Sequence, residues 1–284
     1  IQKYSSLKEK ISFESDDNLN LILLKEISLS VKKGEFIAIL GPTGSGKTCL
    51  LNAIMNNYHI YSSNSKIILN GELSYFSQQP WVITDTVKNN IIFNNEFEEN
   101  KYREVISASE LENDFHEFDN GHKNEINSTS ANVSGGQKAR ISLARSLYKE
   151  ADLYLLDDPL SSIDSKVGNK IFKKAFNKYL KDKARILVTN ELNNLSSVDK
   201  IIYMEKGKII FSGTFNEFNK VFGAKNMEID EEDDNTIYNE QAKHVRTFLR
   251  RNSSHKNVKE LAGIITPEDE SKIGRAVQQE CRDR

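Results

Sequence analysis

Gly41-Pro42-Thr43-Gly44-Ser45-Gly46-Lys47-Thr48 decides the reading of this chain. The stretch follows an apolar run, Phe36–Leu40, and precedes Leu50, Leu51, Ile54 and Met55, which recur at helical spacing. A strand, a glycine-rich turn and a helix in that order form a phosphate-binding loop. The glycines allow dihedrals that turn successive backbone N–H groups onto phosphate oxygens, and the helix N-terminus adds a favourable dipole. Lys47 is expected to reach the β- and γ-phosphates of a bound triphosphate, and the Thr48 hydroxyl to ligate Mg²⁺.

Such a loop needs a carboxylate at the end of a neighbouring strand to hold the metal through water. Leu153-Tyr154-Leu155-Leu156-Asp157 supplies four apolar positions and then an acid at the edge of the sheet, with Asp158 next in line toward the γ-phosphate. The rest of residues 1–222 alternates buried-strand runs with helical patterns, which implies an α/β domain with a largely parallel sheet. Phe36–Leu40, Leu153–Leu156 and Arg185–Thr189 are expected strands covered on both faces. Val167, Ile171, Phe172, Ala175, Phe176 and Tyr179 lie at helical spacing. Ile201–Met204 and Lys208–Phe211 flank Glu205-Lys206-Gly207 as a β-hairpin. Residues 85–150 are richer in helical signals and are expected to form an inserted helical lobe.

Bulk properties bound the remaining possibilities. The chain has 284 residues, 38% hydrophobic and 28% charged, with a net charge of −2. That balance suits a packed core and gives no field that would recruit nucleic acid. Cys49 and Cys281 are too far apart in sequence for a metal motif and suggest a reducing compartment. No run approaches the apolar length of a membrane span, so the chain is expected to be soluble in isolation.

The loop and the carboxylates alone would also suit a GTPase, a kinase or a helicase. Val133-Ser134-Gly135-Gly136-Gln137, leading into the helical run Lys138–Tyr148, separates these. It resembles the signature motif of ATP-binding cassette proteins, and the order and spacing of the motifs agree. The wider run Ser134–Arg145 is similar to the C subfamily, which includes multidrug-resistance-associated exporters and the cystic fibrosis chloride channel. Tyr148–Asp157 is close to the first nucleotide-binding domain of that channel, and Asp157–Asp164 is closer to the exporters. The resemblance covers about residues 12–220. It implies the phosphate-loop NTPase fold of the family, with a mostly parallel core sheet, an antiparallel β subdomain and an inserted helical subdomain.

The resemblance also implies roles. ATP and Mg²⁺ are the expected ligands. Ser134, Gly135, Gly136 and Gln137 would face the γ-phosphate of ATP held by a second nucleotide-binding domain, in a head-to-tail dimer. Gln78 in Ser77-Gln78-Gln79-Pro80-Trp81 resembles the glutamine that contacts Mg²⁺ and water and links the site to the transmembrane domains; Gln79 is the neighbouring contender. Phe13 stands where the subfamily often stacks an aromatic on adenine, although a core role also suits it. Ser161–Asp164 resembles the loop that touches the partner domain, and Trp81 suits either core or coupling surface. The module would then work at the cytoplasmic face of a membrane, within an integral transporter. Its absent transmembrane segments would choose the solute.

Two positions depart from efficient members of the family. Those place Glu after the strand-end Asp and His after the next strand; here the residues are Asp158 and Asn190. Asp is one methylene shorter, and Asn can neither carry positive charge nor relay a proton. The pairing resembles the first nucleotide-binding domain of the subfamily and implies slow hydrolysis, or a nucleotide-gated module of an anion channel with little hydrolysis of its own. Glu125–Ala131 also lacks the glycines and acid usual before the signature.

Beyond Phe222 the pattern changes. Glu228–Asp234 is an acidic block, and 223–284 is expected to be a largely disordered linker or regulatory tail. Arg250-Arg251-Asn252-Ser253 fits a basophilic kinase site at Ser253, or a plain solvated basic patch.

Overall fold

A computed structural model describes residues 23–57, 66–127, 132–192 and 194–222. Phe13, residues 128–131 and the tail with Ser253 lie outside the described residues. The chain divides into two units, Ile1–Phe215 and Asn216–Arg284.

The first unit is built on a six-stranded sheet. Its strands are β1 (Phe36–Leu40), β2 (Leu73–Phe76), β3 (Leu153–Asp157), β4 (Ala184–Val188), β5 (Lys200–Glu205) and β6 (Lys208–Gly213). They run in the order β2-β3-β4-β1-β5-β6. The first five are mutually parallel and β6 returns antiparallel to β5. β1, β3 and β4 are buried at every residue, as strands covered on both faces must be. β4 sits one residue earlier than the expected Arg185–Thr189: Thr189 lies past its end, its N–H donating to Ile39 O at 3.2 Å and its Oγ1 accepting from Glu191 N–H at 3.0 Å.

Alternation along each strand divides the core into two faces. Ile37, Ile39, Leu153, Leu155, Ile186 and Val188 form one cluster with Leu50, Leu51 and Ala53 of α1 (Lys47–Ile54). On the opposite face the Phe36 ring meets Phe172 at 5.7 Å and Phe176 at 6.4 Å. Those residues belong to α6 (Ser165–Ile171) and its continuation Phe172–Tyr179, where the turns widen to a π-type helix. Each such aromatic or aliphatic side chain contributes about 1.5–3 kcal/mol by leaving water.

The expected lobe consists of α2 (Val87–Ile92), α3 (Glu99–Ala108), α4 (Glu112–Glu117) and α5 (Gly135–Tyr148). Arg140 clamps α4 to α5 through a forked pair with Asp114, at 2.8 Å from Nε and 2.6 Å from Nη2. Among the described residues, the antiparallel component is the β5–β6 hairpin. Lys206 at φ 46° and Gly207 at φ 75° form its tight turn, with both central residues left-handed. The rest of α7 (Phe215–Phe222) is the described part of the second unit, where Phe218 and Phe222 stack with ring centroids 4.7 Å apart.

Candidate functional site

Because β2, β3, β4 and β1 are parallel neighbours, the segments that follow them emerge at one rim of the sheet. This is where open α/β sheets bind ligands. Four separated pieces of sequence leave the sheet at that rim. The loop Gly41–Gly46 follows β1, Gln78 stands two residues past β2, Asp157 ends β3 with Asp158 after it, and Asn190 stands two residues past β4. Asp158 N–H donates to Val188 O at 2.9 Å, which ties the β3 end to the β4 end. Gln78, Gln79 and Asn190 are exposed, whereas Asp157 is buried.

The loop is held open by contacts that only glycine permits. Gly41 has φ 151°, and a Cβ there would lie 2.2 Å from Met204 O and 2.8 Å from Ser45 Oγ. Gly41→Ala is expected to cost about 2–4 kcal/mol, from a strained backbone and a clash with strand backbone that cannot retreat. Chemical denaturation measures this, and an unchanged midpoint would contradict the geometry. A support missed from sequence is the hairpin turn: Gly207 N–H donates to Ser45 O at 2.9 Å, bracing the loop from behind.

Lys47 starts α1 and its ammonium crosses the loop, donating to Gly41 O at 2.7 Å and Pro42 O at 3.0 Å. Burial lowers its pKa, while the charges of Asp158 and Asp157 pull it back up. Burial likewise raises the Asp157 carboxyl, against hydrogen bonds from Thr48 and Tyr75 and the Lys47 charge. Asp158 is raised by burial and then by Asp157, with Lys47 opposing. Asp158 also adopts a left-handed backbone, φ 49°, of the kind that gathers at functional turns. Tyr75, on β2, was not anticipated; its hydroxyl lies 3.5 Å from Asp157 Oδ2.

Two buried oxygens at this rim have no hydrogen-bond partner among the described residues, Ser45 Oγ and Asp157 Oδ1. An orphaned carboxylate oxygen beside the Thr48 hydroxyl makes an oxygen-only donor set, which fits a hard divalent cation such as Mg²⁺. No group of three or more His, Cys, Asp or Glu side chains among the described residues could hold a metal. A cation here would therefore take its other ligands from phosphate and water, as Mg²⁺ does in nucleotide sites.

Ser134–Gln137 stand apart from this rim, at the start of α5. Ser134 caps the helix, accepting from Gln137 N–H at 3.2 Å, while Gln137 Oε1 accepts from Ser134 N–H at 2.9 Å. Gln137 Nε2 is also 3.3 Å from Glu117 Oε2, so this side chain folds back on its own lobe. A Cβ on Gly135 would meet nothing within 4 Å, and one on Gly136 would lie 3.5 Å from Ser162 O. The helix N-terminus therefore opens beside the Ser161–Asp164 loop, where Asp164 caps α6 by accepting from Lys166 N–H at 2.9 Å.

A third feature is an exposed aromatic face where the segment after β2 meets the helical lobe. Trp81 is 45% exposed and Phe93 39%, with their rings edge-to-face at 5.6 Å. Trp81 is thus neither plain core nor isolated surface.

Residues 24–161 match the family described as ABC transporter. The chain is 39% identical over 197 residues to human ATP-binding cassette sub-family C member 4, covering 69% of this chain and 15% of that protein. The mouse protein of the same name is 38% identical over 205 residues, covering 72% and 15%. ABC transporter C family member 8 of Dictyostelium discoideum is 40% identical over 200 residues, covering 69% and 12%. The chain thus spans about one seventh of the length of these relatives.

Proposed function

The chain belongs to the ABC transporter family, as a nucleotide-binding domain of its C subfamily, and from that premise we propose that it binds MgATP at the Gly41–Thr48 rim to power or gate movement of a solute across a membrane. The observation that carries this reading is the convergence of the phosphate loop, Lys47, Thr48 and the half-satisfied Asp157 on one rim.

In this reading the loop amides and Lys47 hold the β- and γ-phosphates, and Thr48 and Asp157 hold the Mg²⁺, directly and through water. Bound Mg²⁺ would neutralise the charge that builds on the phosphates. Gln78 and Asp158 orient the attacking water, and Asn190 contacts the γ-phosphate without charge. With Asp158 short and Asn190 neutral, hydrolysis here is slow, the pairing that marks a first nucleotide-binding domain. Ser134, Gly135 and Gly136 complete the site of a second nucleotide-binding domain, since Gly135 opens onto space that a phosphate can enter. Gln137 contributes by capping that helix. The exposed face of Trp81 and Phe93 docks a transmembrane domain, a use that fits aromatic surfaces of this exposure. Such a module works on the membrane side where ATP is found, and no helix among the described residues is long and apolar enough to cross that membrane.

Asp158 and Asn190 also support a second reading, in which ATP binding alone closes the dimer and opens an anion channel. Ion currents against ATP-dependent solute flux in the full assembly separate the two. Phe13 as adenine platform, Ser253 as kinase site, and 223–284 as regulatory tail remain part of the proposal.

Calorimetric titration of the chain with ATP is expected to show saturable binding that strengthens when Mg²⁺ is added. No heat at millimolar ATP, with or without Mg²⁺, would reject the assignment.

A further inference from the structure

Arg145 is charged, buried to 9% exposure and, among the described residues, has no carboxylate among its hydrogen-bond partners. Its Nε donates to Asn90 O at 2.7 Å, Nη2 to Asn90 Oδ1 at 2.9 Å and Nη1 to Trp81 O at 2.9 Å. The guanidinium carbon also lies over the Trp81 ring, 3.8 Å from its centroid, and 5.4 Å from that of the Phe93 ring. Burial alone pushes its pKa down to about 10. Burying an uncompensated cation is costly, and an apolar residue of similar volume usually serves stability as well or better. The placement therefore points to a purpose beyond packing.

The groups tied to Arg145 show what that purpose is. Arg145 lies on α5, about 15 Å along the helix from Gly135 at a rise of about 1.5 Å per residue. Trp81 follows Gln78 after two residues, and its N–H and C=O are both tied to Ser142 Oγ, at 3.0 and 2.7 Å. Asn90 closes the segment between them, accepting from Ile83 N–H at 2.8 Å and donating to Ile83 O and Thr86 O at 3.0 Å each. The stretch from Trp81 to Asn90 is thus a hydrogen-bonded knot with the Arg145 fork at its centre. A planar fork that bonds in three directions and stacks on an indole cannot be replaced by the point charge of lysine.

We infer that Arg145 is the positioning residue that fastens the Gln78–Trp81 segment to α5, so that nucleotide contact at Gln78 displaces Ser134–Gln137. The inference rests on the reading that ATP binds at the Gly41–Thr48 rim. Coupling between two sites requires a physical element that both bias, and here α5 is that element: its C-terminal half grips Trp81 and its N-terminus carries the signature.

Hydrogen exchange of the full chain with and without MgATP tests the link. In the native protein, amides around Gln78–Trp81 and those of 134–140 are both expected to change protection on binding. In Arg145→Lys the first response should persist and the second fall at least about threefold, with MgATP affinity within about twofold of native. A response at both segments in Arg145→Lys overturns the inference, as does a native protein that responds only at Gln78–Trp81. Should Arg145→Lys fail to fold, Trp81→Leu removes the stacked ring at a partly exposed position. The same selective loss at 134–140 is then expected, and an undiminished response there overturns the link. Affinity is read on the same samples, so native protein that binds no MgATP fails the nucleotide assignment as well, and is told apart from native protein that binds without coupling.

Discussion

Lys47→Ala weakens MgATP binding by at least about 100-fold, which corresponds to about 2.7 kcal/mol. The magnitude follows from what the side chain is and where it sits. A charge-assisted hydrogen bond to phosphate contributes about 1.5–3 kcal/mol. Lys47 is already largely removed from water by the loop it spans, as its lowered pKa reflects, so little further desolvation is needed when a phosphate arrives. Its ammonium holds Gly41 O and Pro42 O at 2.7 and 3.0 Å; exchanging those carbonyls for phosphate oxygens keeps the cation paired throughout. The variant also leaves Asp157 and Asp158 without the cation that opposes their raised pKa values. The site then has one positive charge fewer to balance these two acids when the triphosphate arrives, which adds to the loss. Titration with a fluorescent ATP analogue, competed by unlabelled ATP, measures the change. Equal affinity in the native and variant chains would mean that the nucleotide, if it binds, binds elsewhere.

Much of this site was legible in the sequence because its pieces are local. The phosphate loop is a contiguous run whose flanking strand and helix carry opposite periodicities, and both formed at the expected places. Asp157 was visible as the first polar residue after a strand apolar on both faces. The Ser134 cap was not read from the sequence, although a serine with glutamine three residues on before a helical run carries that signal. What escaped is non-local. The Gly207 brace behind the loop depends on the β5–β6 turn reaching residues far earlier in the chain. Tyr75 reaches Asp157 only because β2 and β3 are paired in the register Phe76↔Leu156. Arg145 reads in sequence as one more polar residue of an amphipathic helix, and its environment is made by Trp81 and Asn90. The fold of Gln137 back onto Ser134 and Glu117 likewise shows that a residue within a motif can serve the helix while its neighbours serve the ligand.

The largest gain of function is expected from restoring the two departures together. In the chain paired with a signature-bearing second domain, Asp158→Glu combined with Asn190→His should raise phosphate release from this site by about 100-fold or more, since a misplaced acid or base costs about 10²–10⁴ in rate. Asp158 already has the anchoring such a residue needs. Its N–H is bonded to Val188 O, its carbonyl accepts from Ser161 Oγ at 2.9 Å, and its side chain is partly withdrawn from water beside Lys47 and Asp157. One methylene more would move the carboxylate by more than about an ångström along its existing direction. Asn190 stands exposed two residues beyond β4, with room for an imidazole that can carry charge to the γ-phosphate as asparagine cannot. Each change alone should give less than the pair, because a polarised water without a charged γ-phosphate contact, or the reverse, stabilises only part of the transition state. ATP affinity should change far less than the rate, since the loop amides and Lys47, which supply most of the uniform binding, are kept. A double variant that binds ATP normally and releases phosphate at the native rate would show that these two side chains do not limit hydrolysis.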